Sequence, residues 1–372
     1  MIKPRLGSFE QMRRRAWRRL PRGLFDYIDG GVGREAALRA LRARLDAVTI
    51  EPRVLRSNGN REIGCSLLGS EYRFPLVIAP TAMAGLVQHD GEIILARAAG
   101  RLGIPFCLST QSITSIGALR AAVPEVDIWM QIYLWEDRSL SQGLLERARA
   151  AGVKVLILTV DTPYGARKPW NDRSGFGMPF RLSARSLTDL AMRPGWLARS
   201  MLPTLLKGGL PSLENYPEGL RPRLLGEPPD PRVMLRRDLG WEDVAWMRKS
   251  WDGPILLKGV LSIADAKRAM QEGLEGLIVS SHGARNFDAA PAPIDCLPGI
   301  ALAVGKQMTI LADSGLQSGL DLLRFRARGA EAGMTGRLPL WALASGGEAA
   351  VTTALENLRQ DYIEALDFAG IS

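Results

Sequence analysis

The chain has 372 residues, 46% of them apolar, and a formal net charge of +9. That composition supports a large core and excludes global disorder, and no apolar run is long enough to span a bilayer. The excess of positive charge calls for an anionic partner, but only 6% of residues are aromatic and no nucleic-acid motif accompanies it, so no nucleic acid is expected.

Residues 1–75 open with a basic helical stretch that lacks the apolar segment of a secretory signal. The stretch from Phe9 to Asp26 reads as part of the fold. From there, strand-like runs alternate with helical ones. Strands are expected at 76–80, 105–109, 128–133, 155–161, 254–259, 276–281, 309–314 and 332–336. Helices are expected at 92–102, 115–122, 142–151, 263–272, 294–304 and 320–328. Near-continuous apolar strands alternating with helices predict an α/β protein whose parallel sheet closes as a TIM (β/α)8 barrel. An open doubly wound sheet would carry a Gly-rich dinucleotide turn after its first strand, and Thr81-Ala82-Met83-Ala84-Gly85 stands there instead. The whole chain, 1–372, is therefore read as one barrel domain with an N-terminal segment, 1–75, and an insertion, 162–238, after strand four.

That insertion is far longer than an ordinary βα loop. Within it, 192–210 sets Trp196, Leu202, Leu205 and Leu206 beside Arg193, Arg199 and Lys207, a pattern suited to peripheral contact with a membrane. Pro194, Pro203 and Gly208-Gly209 are expected to interrupt any long helix there, which favours a lid or subunit contact. Cys65, Cys107 and Cys296 form no pair and read as reduced packing residues of a cytoplasmic protein.

The ends of the expected strands carry polar groups, where this fold builds its active site. In order they are Thr81 and Ala82, Ser109, Gln131 and Tyr133, Thr159 and Asp161, Lys258, His282 and Arg285, Asp313, and Gly336-Arg337. Packing does not explain a polar residue at nearly every end. The turn Asp313-Ser314-Gly315 and the pair Gly336-Arg337 fall where barrels of this kind bind phosphate. His89 reads as a loop or helix-start residue, and no spacing of His, Cys and carboxylates suggests a metal.

Several stretches together resemble the FMN-dependent α-hydroxy-acid oxidases and dehydrogenases. The most specific is Ser280-Ser-His-Gly-Ala-Arg-Asn-Phe-Asp288 followed by Ala290-Pro-Ala-Pro293. Leu257-Lys-Gly-Val260, Gln131-Ile-Tyr133 and Leu158-Thr-Val-Asp-Thr-Pro163 support it, and Trp241-Glu-Asp-Val-Ala-Trp246 is closest to the mandelate dehydrogenase-like branch. The resemblance implies non-covalent FMN and oxidation of an (S)-2-hydroxy acid, mandelate-like or lactate-like, to the 2-oxo acid, with electrons passing to oxygen or a quinone. It implies that His282 is the general base and Asp161 its partner. Arg285, Arg167, Tyr133 and Tyr27 would hold the substrate, and Lys258 would sit by the flavin ring. Thr81, Ala82, Ser109, Gln131 and Thr159 would line the ring, with Asp313 and Gly315 along the ribityl chain and Gly336 and Arg337 at the phosphate. It also implies a homotetramer, cytoplasmic or peripheral to the inner face of the membrane.

The chain departs from the family at Tyr164–Arg173, where the spacing before Arg167 is one residue short and the usual acids are missing. Gln317 replaces a common arginine, and Gln111 a common aromatic. Two rival functions remain open on sequence: an FMN oxidase of a modified amino acid or peptide, and a flavin-binding barrel without catalysis.

Overall fold

The computed structural model describes residues 8–371, apart from 57–62, Arg167 and Met178. A hairpin, β1 (Cys65–Leu67) and β2 (Ser70–Tyr72), precedes the barrel. Its two-residue turn holds Leu68 and Gly69 at φ +52° and +80°, the conformation whose twist suits a tight hairpin. The barrel strands follow as β3 (Leu76–Ile78), β4 (Phe106–Ser109), β5 (Ile128–Ile132) and β6 (Leu156–Thr159), then β7 (Ile255–Val260), β8 (Gly276–Val279), β9 (Thr309–Ala312) and β10 (Ala332–Thr335). All pair in parallel in chain order, and β10 closes on β3 with Gly333 opposite Leu76.

Both faces of each strand are buried, which is why the runs are apolar without alternation. One set of residues, such as Ile78, Leu108, Met130 and Leu257, packs outward on the helices. The other set, including Val77, Cys107, Trp129, Ile157, Leu256, Ile278 and Leu311, fills the lumen. The hairpin seals the N-terminal mouth with Leu67 and Tyr72, whose ring meets Trp129 edge-on at 6.3 Å. With that end plugged by apolar side chains, only the C-terminal end of the lumen is free to hold polar chemistry.

Three helices, α1 (Phe9–Arg19), α2 (Arg22–Asp29) and α3 (Ala36–Asp46), form the N-terminal segment. α1 buries Met12 and Ala16 and lies along the helix Arg337–Ala369, so it belongs to the fold as expected. The backbone N–H groups of Arg34 and Ala37 at the start of α3 donate to Asp288, which fastens this segment over the C-terminal end of the barrel.

Pro194 and Gly208-Gly209 bound the helical part of the insertion as expected, but Pro203 departs from the sequence reading. The backbone stays helical from Pro194 to Gly208 through Pro203. A π-turn, Leu197–Met201, precedes the proline, and Leu202 N–H donates to Leu197 O. The wider turn absorbs the donor that Pro203 lacks. Trp196 Nε1 donates to Leu86 O at 2.7 Å and Ser200 Oγ to Val87 O at 2.9 Å, so the insertion is clamped to the loop after β3. Asn215, 1% exposed, anchors its far end by donating to Ser109 O and Thr114 O and accepting from Ile116 N–H.

Candidate active site

Side chains two residues apart on a strand share a face. Continuing the lumen positions by two gives Ala79, Ser109, Gln131, Thr159, Lys258, Ser280, Asp313 and Gly336. On six of the eight strands the lumen therefore changes from apolar to polar in one step, and all of these residues except Ser280 floor a cavity of about 350 Å³ at the C-terminal end. Thr81, Ala82, Tyr27, Tyr133, His282, Arg285, Gly315 and Arg337 line the same space. Arg167 lies outside the described residues.

Lys258 is the electrostatic centre of the floor. Its Nζ is 3.0 Å from Asp313 Oδ2 and donates to Ser280 Oγ at 2.8 Å. Burial opposes the ammonium, but Asp313 and Asp161 outweigh it and raise its pKa, so Lys258 is a fixed cation. Ser280 Oγ in turn accepts from His282 N–H at 3.0 Å. Ser314 Oγ donates to Asp313 Oδ1 and accepts from Ser281 N–H and Gly283 N–H.

These bonds hold an unusual backbone. His282, Gly283 and Ala284 lie consecutively at φ +55°, +62° and +58°, and Ser314 at +73°. Left-handed non-glycine residues cost about 1–3 kcal/mol each and persist where surrounding contacts fix them. The strained turn presents the imidazole to Asp161, with Nδ1 at 2.8 Å from Oδ1. Asn286 Nδ2 donates to Asp161 O and Thr162 Oγ1, tying the two loops together. Burial would raise the Asp161 carboxyl, but the charge and hydrogen bond of His282, with Lys258 behind, bring it below the usual carboxylate range. A carboxylate on Nδ1 selects the tautomer whose Nε2 is an acceptor, the form a proton-abstracting base needs.

Two arginines flank this base. Arg285 lies over the Tyr27 ring at 4.9 Å and donates to Gly30 O at 3.1 Å. Arg337 donates to the carbonyls of Ile28, Gly30 and Gly283. Burial and the neighbouring Arg285 push Arg337 down to about 10. Burial, Arg285 and Arg337 together push Lys168 down to about 7. The paired guanidinium groups of Arg285 and Arg337 make the mouth suited to an anion. Burial raises the Tyr27 and Tyr133 phenols, so both are neutral donors.

Two features suit a phosphorylated ring cofactor. Gln131 Oε1 accepts from Ser109 Oγ and Thr110 N–H, while its buried Nε2 has no partner among the described residues. An unpartnered amide at the cavity floor is ready to donate to a heteroaromatic edge. The helix Arg337–Ala369 begins at Gly336 without a side-chain cap, leaving its first N–H groups for an anion.

Ser280, Ser314, Asn286 and Lys168 belong to this constellation and were not foreseen. The two-residue rhythm that singles out Lys258 and Asp313 also picks out Ser280. Ser314 and Asn286 act through contacts between loops far apart in sequence, which leave no local pattern.

The model of the FMN-dependent dehydrogenase family matches residues 16–372. An L-lactate dehydrogenase of Pseudomonas syringae pv. syringae (strain B728a) is 36% identical over 99% of this chain and 96% of its own length. An L-lactate dehydrogenase of Allorhizobium ampelinum (strain ATCC BAA-846 / DSM 112012 / S4) is 37% identical over 98% and 95%. Among solved structures, the monotopic membrane protein (S)-mandelate dehydrogenase superposes with a TM-score of 0.89 at 31% identity, covering 99% of this chain and 96% of that one. Mandelate oxidase with (S)-2-phenylpropionate gives 0.81 at 31% identity, covering 98% and 94%.

Proposed function

We propose that this chain, which belongs to the FMN-dependent dehydrogenase family, oxidises an (S)-2-hydroxy acid of the mandelate or lactate type to the 2-oxo acid. The observation that carries the reading is the 2.8 Å contact of His282 with Asp161 beside Arg285. It joins a general base to a carboxylate-binding cation in one cavity.

FMN supplies the two-electron acceptor for this chemistry. Gln131, Ser109, Thr159 and the Ala82 and Thr81 segment would hold its ring, Asp313 and Gly315 its chain, and Gly336 and Arg337 its phosphate. Lys258 places a fixed cation in the same floor, where it would stabilise negative charge developing on the reduced ring.

The remaining residues act on the substrate. Arg285 and the phenols of Tyr27 and Tyr133 bind and orient its carboxylate and hydroxyl. His282 accepts a proton from the bound acid at Nε2. Asp161 holds the ring and stabilises the imidazolium so formed. The closing partner in the 162–168 loop would be Arg167.

The test is the visible spectrum of the purified protein during anaerobic addition of (S)-mandelate and then L-lactate. Flavin bands that bleach with either acid support the reading. His282→Ala should keep the flavin and lose its reduction by orders of magnitude. A protein that bleaches with neither acid would move the weight to an unusual substrate or a silent barrel.

No described helix is long and apolar enough to cross a membrane. The insertion exposes Met192, Leu202, Leu205 and Leu206 next to Arg193, Arg199 and Lys207, which supports peripheral docking on the inner face of the membrane. Leu205→Asp with Leu206→Asp should abolish sedimentation with anionic vesicles, and unchanged pelleting would refute the docking. The acceptor would then be oxygen or a membrane quinone. The family resemblance supports a homotetramer, which sedimentation velocity would test.

A further inference from the structure

The insertion reaches the floor of the site through one buried side chain. Asn215, 1% exposed, commits its whole amide to the loop that leaves β4. Nδ2 donates to Ser109 O at 3.3 Å and to Thr114 O at 3.1 Å, and Oδ1 accepts from Ile116 N–H at 2.8 Å. Both ends of the segment 109–116 are thus gripped by one residue. Asn215 is itself held from behind. Arg147 Nη2, on the helix Arg138–Ala150, donates to Asn215 O at 2.7 Å. The neighbouring Tyr216 ring packs on Trp135, just beyond β5, at 4.8 Å. On the other side Glu214 N–H donates to Ser112 O at 3.0 Å. The segment 214–216 is therefore a fixed strut between the ends of β4 and β5.

What the strut fixes is the sense of the Gln131 amide. A glutamine amide can turn over and exchange its oxygen for its nitrogen, because the two ends have nearly the same shape. Here Thr110 N–H, which can only donate, lies 3.3 Å from Oε1. Ser109 Oγ accepts from Gln111 N–H at 3.1 Å, which leaves its own proton for Oε1, also at 3.1 Å. The oxygen must face these two donors, so Nε2 turns away from them, toward the cavity that Gln131 lines. Thr110 Oγ1 also donates to Gln131 O at 2.7 Å and accepts from Tyr133 N–H at 3.2 Å. Ser109 and Thr110 thus set the end of β5, and the carbonyl of Ser109 is where Asn215 takes hold.

We propose that Asn215 is a positioning residue for the flavin: through Ser109 and Thr110 it keeps the Gln131 amide with its N–H groups toward the ring. The proposal rests on the reading of Gln131 as a ring-binding residue and adds the insertion to the cofactor site. An amide turned the other way would offer an oxygen where an acceptor edge of the ring needs a donor.

The experiment is a double-mutant cycle on FMN affinity, measured by diluting the full FMN-loaded chain and following the fluorescence of released flavin. Gln131→Ala should weaken binding about tenfold, as the loss of one hydrogen bond does. Asn215→Ala should weaken it by a similar factor. The double variant should bind no more weakly than Gln131→Ala, because both changes remove the same contact. Ser183→Ala, which removes the N-cap of the helix Ala184–Ala191 elsewhere in the insertion, is the control. It should lower the melting temperature and leave FMN affinity at the wild-type value. Two factors that multiply in the double variant would overturn the proposal, as would wild-type affinity in Asn215→Ala or an equal loss in Ser183→Ala. Should Asn215→Ala fail to fold, Arg147→Met takes its place in the cycle, since it removes only the donor to Asn215 O. It should weaken FMN about threefold without adding to Gln131→Ala, and an unchanged affinity would overturn the proposal. Wild-type affinity in Gln131→Ala would instead fail the ring-binding reading, and the proposal with it, whereas a sensitive Gln131 beside an insensitive Asn215 fails the proposal alone.

Discussion

Gly259 follows the central lysine on β7, at φ +106° where the pairing with β8 shifts register. A Cβ added there would stand 2.5 Å from Asp161 Cβ and 2.6 Å from its Cγ. Gly259→Ala therefore does two things. It forces alanine into a backbone region that costs about 1–3 kcal/mol. It also drives Asp161 back by about 0.9 Å to reach ordinary contact at 3.4 Å. That retreat is large against the 2.8 Å bond to His282. A misplacement of about 1 Å in a catalytic constellation can cost on the order of 100-fold in rate. The expected result is a stable, yellow protein whose anaerobic flavin reduction, followed by stopped flow, is slowed about 100-fold. Gly273→Ala provides the control, since Gly273 has φ +75° but nothing within 4 Å of its added Cβ. It should lower the melting temperature and leave the rate alone. A Gly259→Ala protein that reduces its flavin at the wild-type rate would refute the assignment of Asp161 as the partner that positions the base.

Asp161→Asn should retain FMN and lose at least two orders of magnitude in reduction rate. Because the folded Asp161 carboxyl lies below its unfolded value, its contribution to stability is present above about pH 4 and is lost as pH falls through the folded value. The melting-temperature gap between wild type and Asp161→Asn should therefore close on acidification from pH 7 to pH 3. Lys258→Met leaves Asp313 as a buried carboxylate without its ion pair, a loss of about 3–5 kcal/mol that urea unfolding would register, with a fall in bound flavin. Ser280→Ala removes the oxygen shared by Lys258 Nζ and His282 N–H. Flavin reduction should slow about 10-fold, the worth of one hydrogen bond of about 1.4 kcal/mol, with flavin content unchanged.

The barrel was legible because each strand is buried on both faces, so apolar runs survive in the sequence as uninterrupted signals. The strand-end residues were legible for the same reason: Lys258 and Asp313 interrupt such runs. What was not legible depends on contacts between distant segments. The helical path through Pro203 needs the π-turn that precedes it, and a proline read alone predicts a break. The helix Arg337–Ala369 was missed, since no helix was expected after residue 328. It bends at Gly346-Gly347, with φ −176° and +64°, and two adjacent glycines erase the helical pattern where it should be read. Arg337 was expected to serve phosphate alone, yet its fork also reaches Ile28 O and Gly283 O, and only the folded N-terminal segment reveals that second duty.

The step from apolar to polar inside the lumen also bears on how the protein is made. The polar layer draws its members from strands spread between residues 109 and 313, and the sheet closes only when β10 meets β3. Contacts of such separation form slowly, because chain entropy is lost before they give anything back. Until that last pairing, Lys258 and Asp313 lie on an open sheet with water for company, and no flavin site exists. Capture of FMN during refolding would therefore time the closing of the ring itself, separately from the earlier growth of its helices and strands.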